Sequence, residues 1–259
     1  MSILGAIAGD VIGMRFERFN RKSKEFALFS HVSRFTDDTV LTLALADALT
    51  TGQDFAVGFR GFGLAYPDAG YGGTFRKWLS DPDMRPYGSY GNGAAMRVSP
   101  VAYAFHTEKE VLASARASAA VTHSHPEGIK GAEAIALAVF LARMGQSRDQ
   151  ILRRVVKLAD YDLDFTLDDI RPTYRFDVSC QGSVPQALVA FREAADFEDA
   201  IRGAISIGGD SDTIACMAGA IAAPFFGGVP EEIGQEVRRR LDSRLNNVLA
   251  EFEARYPQS

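Results

Sequence analysis

The chain has 259 residues, 47% of them hydrophobic and 24% charged, and its formal net charge is −5. This composition is typical of a folded globular protein, and the lack of a long basic run excludes an electrostatic surface for nucleic acid. The cysteines, Cys180 and Cys216, lie far apart in apolar surroundings, and the first residues lack the basic region of a signal peptide. The longest apolar stretch, around residues 214–229, is too short to span a bilayer. We therefore expect a cytoplasmic protein without membrane contact.

The first polar group along the chain lies in the segment GDVIGMRFE, residues 9–17. Glu17 ends this segment, after a short apolar stretch and two glycines. A glutamate in such a position is most often a solvated side chain. The residues alone therefore assign no function to Glu17.

The segment RFTDDTVLTLALADAL, residues 34–49, places three polar residues directly before an apolar run. Thr36 fits the N-cap of a helix, and acids in the first turn suit the helix dipole. Residues 40–49 are apolar on nearly all sides, which predicts a buried helix. Asp37 and Asp38 would then lie near the interior, where two carboxylates about 4 Å apart repel by roughly 4 kcal/mol. A positively charged partner is therefore expected opposite them.

Three further polar segments interrupt the apolar runs. The glycine-rich turn GYGGTFRKW, residues 70–78, leads into a predicted helix and suits a phosphate, although it lacks both GxGxxG and the P-loop lysine. The segment YGSYGNGAAMRVSP, residues 87–100, is either a tight turn or a loop on which a ligand lies, with Tyr90 free to stack on a flat ring. The segment THSHPEG, residues 122–128, holds an HxH pair, but no third histidine or cysteine stands near it, so zinc is disfavoured.

A second acidic helix start lies in the segment SIGGDSDTIACMAGAIAAPF, residues 206–225. Asp210, Asp212 and Thr213 again precede an apolar run. A glycine turn with an aspartate or serine cap would explain this segment taken alone. Two such helix starts together supply four carboxylates and two hydroxyls, and these hard oxygen donors suit Mg²⁺ or Mn²⁺ rather than zinc. The two segments are therefore predicted to form one metal site, for one ion or two.

Helical periodicity extends over most of the chain, and convincing strand alternation is absent. Helices are predicted over residues 131–144, 147–159 and 184–206, and residues 231–255 have the spacing of an amphipathic closing helix. The stretches between the helices do not have the composition of linkers, and no internal repeat is found. We therefore predict one all-α domain over residues 1–259, with its function on the loops between buried helices.

The ordered set of motifs GDxxGxxxE, FTDDT, GYGGTF, SYGNGAAMR, TH and GGDSDTIA resembles the ADP-ribosylglycohydrolase family, which includes the bacterial dinitrogenase-reductase-activating glycohydrolases. The resemblance runs from about residue 3 to about residue 228. It implies an all-α orthogonal helical bundle that binds two Mg²⁺ ions, sometimes Mn²⁺. It also implies cleavage of the glycosidic bond between ADP-ribose and an acceptor, which is a protein or a small molecule.

The resemblance also implies roles for individual residues. Glu17 occupies the position of the family's catalytic or gating acid, and Asp38 can serve as a base only if it is not fully committed to metal. The implied metal ligands are Thr36, Asp37, Asp38, Asp210, Asp212 and Thr213. The implied substrate contacts are Gly72, Gly73 and Thr74 in the diphosphate loop, Ser89, Tyr90, Gly91 and Asn92 in the next loop, and His123. His125 and residues 160–177 match no shared motif and receive no role.

This implied activity agrees with the residue chemistry, because an acidic chain can hold a dianionic diphosphate only through metals, backbone N–H groups and helix N-termini. Two other classes of function remain open. One is a protein that binds ADP-ribose without cleaving it, and the other is a two-metal phosphohydrolase that acts on the diphosphate. The acceptor also stays open between arginine, serine, an O-acyl-ADP-ribose and a modified nucleic acid.

Overall fold

The computed structural model describes residues 3–257, and within that range the chain folds into fifteen α-helices. The only β structure in this range is an isolated bridge between Gly91 and Ser179. The predicted all-α class is therefore confirmed, whereas the predicted domain limits, residues 1 and 259, lie outside the described residues. In chain order the helices are α1 (Leu4–Arg18), α2 (Asp37–Thr51), α3 (Phe55–Ala65), α4 (Gly73–Ser80), α5 (Gly93–Met96), α6 (Val101–Ala104), α7 (Glu108–Ala120), α8 (Pro126–Arg143), α9 (Arg148–Ala159), α10 (Leu167–Ile170), α11 (Cys180–Glu193), α12 (Phe197–Ser206), α13 (Ser211–Phe225), α14 (Glu231–Arg240) and α15 (Ser243–Arg255).

Helices α1 and α13 form the centre of the bundle and pack directly against each other. Their approach is so close that a side chain at Gly9 would overlap the backbone of Ala215, and a Cβ at Gly13 would lie 2.6 Å from the Cα of Asp212. Helices α2, α12 and α14 contact α1, and α8 and α11 contact α13. The buried apolar side chains of all these helices join into one continuous core.

Two of the predicted helices are each divided into two in the structure. The predicted helix over residues 184–206 consists of α11 and α12, and Asp196 starts α12 by accepting the backbone N–H of Asp199 at 2.8 Å. The predicted helix over residues 231–255 consists of α14 and α15, and Asp242 caps α15 through the backbone N–H of Leu245. The apolar spacing continues across both breaks because each pair of helices faces the same core. Periodicity alone therefore missed the caps.

The other helix predictions agree with the structure. Residues 131–144 lie almost entirely in α8, and residues 147–159 correspond to α9 with Ser147 as its N-cap. Within residues 3–257 no helix combines the length and the apolar composition needed to cross a membrane.

Candidate metal and substrate site

The two acidic helix starts meet at the centre of the bundle. Asp38 lies in the first turn of α2, Asp212 lies in the first turn of α13, and Asp10 of α1 joins them. One carboxylate oxygen from each of these buried residues lies within 4.8 Å of the other two. Three helices from different parts of the sequence therefore each contribute one acid to the same cluster.

Asp10 is a member of this cluster that the sequence analysis missed. Its Oδ1 accepts the hydroxyl of Thr36 at 2.7 Å, and its Oδ2 accepts the backbone N–H groups of Thr36 and Thr39 at 2.9 and 3.1 Å and the Thr39 hydroxyl. Both oxygens therefore anchor the start of α2 to α1. Burial raises the pKa of Asp10 although these hydrogen bonds act in the opposite direction.

The first helix start carries out the capping function that the sequence predicted for it. Thr36 is the N-cap of α2, and its hydroxyl accepts the backbone N–H of Asp38 at 3.3 Å. The backbone N–H of Asp37 donates to the carbonyl of Ala69 at 2.8 Å, which ties this turn to the loop before α4. Burial, reinforced by the charge of Asp10, raises the pKa of Asp37 to about 7.

The second helix start is built differently. Asp210 occupies the N-cap position of α13, but its side chain makes no capping hydrogen bond. Instead its Oδ2 accepts the side-chain amide of Asn92 at 2.6 Å. Burial raises the pKa of Asp210 to about 6, and burial together with the charge of Asp210 raises that of Asp212. Thr213 links the two helix starts, because its hydroxyl donates to Asp38 Oδ2 at 3.3 Å.

The cluster has the chemistry of a divalent-cation site. Asp38 Oδ1 is buried and has no hydrogen-bond partner, which is costly for a carboxylate oxygen unless a cation compensates it. Its pKa lies well above the usual range because of burial and the charges of Asp10 and Asp37. The sequence predicted a positively charged partner for these acids. The cluster consists of three aspartates, so among the described residues it does not itself contain that partner. These hard oxygen donors, one of them uncompensated, could therefore bind a divalent metal ion.

Glu17 lies in the last turn of α1 and is partly buried rather than fully solvated. Its charge acts on Asp37, Asp210 and Asp212, and in each case it raises the pKa of the neighbouring carboxyl. Glu17 therefore lies near enough to both helix starts for its charge to act on their carboxyl groups. The catalytic role that the resemblance implies for Glu17 stays a prediction.

Each of the two predicted substrate loops has one residue next to an acidic helix start. A Cβ on Gly70 would lie 3.2 Å from Asp37 Oδ1, so the glycine-rich loop before α4 borders the first helix start. The next loop borders the second helix start through Asn92, and it also contacts His123, because a Cβ on Gly93 would lie 3.0 Å from His123 Nε2. The predicted substrate contacts differ in burial. Those that are exposed are Gly72, Gly73 and Thr74 at the start of α4, and Tyr90. Ser89 and Gly91 are partly buried, and Asn92 and His123 are buried.

His125, which received no role, proves to have a structural one. It is the N-cap of α8, where its Nδ1 accepts the backbone N–H of Glu127 at 3.1 Å, and its ring packs against Tyr90. Among residues 3–257, the cluster of Asp10, Asp38 and Asp212 is the one group of three or more acid, histidine or cysteine side chains that could hold a metal ion.

The sequence model of the ADP-ribosylglycohydrolase family matches residues 1–258. The chain belongs to this family. The resemblance inferred from the motif order is thereby confirmed, and the match extends over nearly the whole chain rather than over the acidic segments alone.

Several members of the ADP-ribosylglycohydrolase family can be compared with the chain directly. ADP-ribosylhydrolase ARH3 of Mus musculus is 29% identical over 87% of this chain and 82% of its own length, and that of Bos taurus is 30% identical over 74% and 70%. ADP-ribosylarginine hydrolase Tri1 of Pseudomonas putida (strain GB-1) is 23% identical over 99% and 78%. A solved structure described as an ADP-ribosylglycohydrolase-related protein complex has a TM-score of 0.73 at 24% identity, covering 99% of this chain and 96% of its own, and so shares the fold.

The turn before Asp210 is held by residues to which the sequence analysis gave no role. Gly208 and Gly209 have φ values of 73° and 76°, and they turn the chain into Asp210. Asn20 Oδ1 accepts the N–H of Gly209 at 2.6 Å, and Lys22 Nζ donates to the carbonyls of Ile207 and, at 2.8 Å, Tyr174. These contacts join residues far apart in the chain. No local pattern in the sequence marks them.

Proposed function

We propose that the chain is a magnesium-dependent hydrolase that cleaves the glycosidic bond between ADP-ribose and an acceptor. Membership of the ADP-ribosylglycohydrolase family supports the reaction class. The single observation that carries the proposal is the meeting of the two acidic helix starts, with Asp38 Oδ1 buried and unpartnered and Glu17 beside them.

The six oxygen donors of the two helix starts would hold the cations. Two divalent ions here, Mg²⁺ with Mn²⁺ as a substitute, would supply Lewis acidity, activation of water and a template for the hydroxyls of the distal ribose. Asp10 is less suited to this role, because both of its oxygens already accept hydrogen bonds from Thr36 and Thr39. The proposed ligands are Thr36, Asp37, Asp38, Asp210, Asp212 and Thr213.

The loops around the cluster would hold the rest of ADP-ribose. The exposed N-terminus of α4, with Gly72, Gly73 and Thr74, offers backbone N–H groups and a positive helix end to the diphosphate. The loop of Ser89, Tyr90, Gly91 and Asn92, together with His123, would hold the diphosphate and the adenosine end. The Tyr90 ring is 55% exposed and would stack on a flat base.

Two carboxylates would take part in the chemistry itself. Glu17 would exchange a proton with the leaving group or the attacking water, because it is partly buried beside both acidic helix starts. Asp38 is the candidate base to the extent that it is not committed to metal. The bond breaks through a state with positive charge on the ribose ring, so the reaction needs an attacking water and a proton for the leaving group.

One panel of substrates tests this function. The protein is incubated with arginine-linked, serine-linked and O-acetyl ADP-ribose, with Mg²⁺ or with EDTA, and the products are followed by mass spectrometry. We expect free ADP-ribose and unmodified acceptor from at least one substrate, and only with Mg²⁺. Because the relative Tri1 is an ADP-ribosylarginine hydrolase, arginine-linked ADP-ribose is a natural member of the panel.

The other outcomes separate the alternatives. Cleavage that survives complete chelation would exclude the metal role. AMP and ribose phosphate as products would indicate the two-metal phosphohydrolase instead. Binding of ADP-ribose without cleavage of any substrate would indicate a protein that only binds this ligand.

A further inference from the structure

Arg97 is the largest fully buried side chain of the described residues, and no part of the proposed chemistry uses it. Its guanidinium lies over the ring of Phe59, with 3.9 Å from Cζ to the ring centroid. Nη2 donates to the carbonyl of Ser118 at 3.2 Å and to the hydroxyl of Thr122 at 2.9 Å, whereas Nε and Nη1 have no hydrogen-bond partner. A buried cation with so few partners is costly, so its position calls for an explanation.

The hydroxyl of Thr122 connects Arg97 to His123. Thr122 Oγ1 lies 2.7 Å from His123 Nδ1, so these two atoms share one hydrogen bond. His123 is 6% exposed, and the other ring nitrogen, Nε2, faces Gly91 and Gly93 of the loop proposed to hold the ligand. In the neutral ring, the presence or absence of a proton on Nδ1 therefore decides whether Nε2 presents a lone pair or an N–H donor to that loop.

The direction of these hydrogen bonds follows from the donors available. An arginine side chain can only donate, so Thr122 Oγ1 accepts from Arg97 and keeps one proton to donate. His123 Nδ1 lies at hydrogen-bond distance from this hydroxyl and can accept that proton when it carries none itself.

Electrostatics favour the same arrangement. A proton on Nδ1 would direct an N–H dipole towards the buried guanidinium, whereas an unprotonated Nδ1 directs its lone pair there. Burial and the charge of Arg97 together hold the pKa of His123 well below its usual range, so the ring carries one proton only. That proton is then on Nε2, and none of the hydrogen bonds found among residues 3–257 uses Nε2.

We propose that Arg97 and Thr122 are positioning residues that fix His123 as the neutral tautomer protonated on Nε2, so that it presents an N–H donor to an oxygen of the bound ligand. ADP-ribose is rich in such acceptors, in its diphosphate and its ribose oxygens. The identity of this ligand rests on the proposed function, whereas the tautomer is a property of the free protein. Gly93 contributes by leaving room beside Nε2, since a Cβ there would lie 3.0 Å from it.

The test uses two substitutions at one position in the full-length protein. Thr122→Val keeps the volume of the side chain and removes the hydroxyl, and Thr122→Ser keeps the hydroxyl. Long-range ¹H–¹⁵N spectra of His123 in the free protein should show the Nε2-protonated tautomer in the wild type and in Thr122→Ser. In Thr122→Val they should show a mixture of tautomers or the Nδ1-protonated form.

Ligand affinity provides the second measurement. With Mg²⁺ present, the Kd for ADP-ribose should rise by up to about tenfold in Thr122→Val, the effect of one hydrogen bond, and stay within about twofold in Thr122→Ser. A wild-type His123 protonated on Nδ1, or an unchanged tautomer in Thr122→Val, would overturn the proposal. If the wild type binds no ADP-ribose, the proposed function fails, and the spectra still decide the tautomer by themselves.

Discussion

The two acidic helix starts use the same residue types but depend on different parts of the protein. At the start of α2, Thr36 caps the helix and Asp10 of the neighbouring α1 holds the turn. At the start of α13, no side chain caps the helix, and Asp210 is bound by Asn92 from a distant loop. The first start is thus positioned by its own cap, by α1 and by one backbone hydrogen bond to Ala69, and the second by contacts with segments far away in the chain. Similar sequence patterns can therefore hold acids in one cluster by unrelated means.

The largest expected effect concerns Glu17, which borders both helix starts and belongs to neither. Glu17→Gln should lower kcat by about 10²- to 10⁴-fold, since it removes a proton-transfer group and preserves the shape of the side chain. The Kd for ADP-ribose and the bound metal should change little. Turnover and metal content are measured on the same preparation. A kcat within about twofold of the wild type at unchanged metal content would show that Glu17 is not catalytic.

The next effect tests whether both helix starts hold the same ions. Saturating Mg²⁺ should stabilise the wild type by about 2.7 kcal/mol per site at a hundredfold excess over Kd. Asp38→Asn and Asp212→Asn should each abolish much of this gain, and in EDTA each should be as stable as the wild type or more so, because one repelling charge is gone.

Thermal melts of the three proteins in EDTA and in Mg²⁺ measure this. If only one of the two variants loses the stabilisation by Mg²⁺, the two helix starts do not share a metal site. Wild-type melts that are identical with and without Mg²⁺ would reduce both starts to ordinary helix N-termini.

The pH dependence of the metal-free protein should distinguish the two starts. The pKa values of Asp37 and Asp210 are about 7 and about 6 in the folded state, against 3.8 in an unstructured chain. Between these values the unfolded state holds fewer protons, so stability in EDTA should fall as the pH rises from about 4 to about 7.

Asp37→Asn should reduce this fall over the whole range up to about pH 7, whereas Asp210→Asn should reduce it only up to about pH 6. Thermal melts in EDTA across the pH range measure both contributions. A metal-free wild type that becomes more stable as the pH rises would contradict the assignment.

A smaller effect should be confined to the second helix start. Lys22→Met removes the ammonium group that holds the carbonyls of Ile207 and Tyr174, and should cost about 1–3 kcal/mol of stability and weaken Mg²⁺ binding. Lys24→Met is the matched control, since Lys24 lies in the same segment but pairs with Asp199 of α12. Calorimetric titration with Mg²⁺ compares the two variants. An equal loss of affinity in both would show that the turn before Asp210 does not depend on Lys22.

The smallest effect should be confined to the first start. Thr36→Ala removes the N-cap of α2 and a hydrogen bond to Asp10, and should cost about 1–2 kcal/mol. Thr36→Ser keeps both interactions and should cost much less. Unfolding in denaturant with EDTA present measures the difference. If Ser and Ala have the same stability, the hydroxyl does not cap the helix.

The sequence predicted the first helix start more completely than the second, for a physical reason. The cap by Thr36 and the burial of α2 depend on neighbours in the chain, and such local interactions leave a pattern. The contacts of Asn20 and Lys22 with residues 207–209 join segments more than 180 positions apart, so no spacing indicates them. Asp10 could have been suspected, because an acid in a helix that is apolar on nearly all sides must be paired or bound. No pattern in the sequence indicates the hydrogen bonds that connect Arg97, Thr122 and His123.

The direct contact of α1 with α13 has a consequence for the placement of Glu17. Gly9 and Gly13 let the two backbones touch, so the distance between the helices that carry Glu17 and Asp212 is set by main-chain atoms and cannot be adjusted by side-chain rotamers. A larger residue at either glycine would push the two helices apart and would move Glu17 relative to the acids of α13. The precision of an acid at one end of α1 therefore depends on two residues that have no side chain.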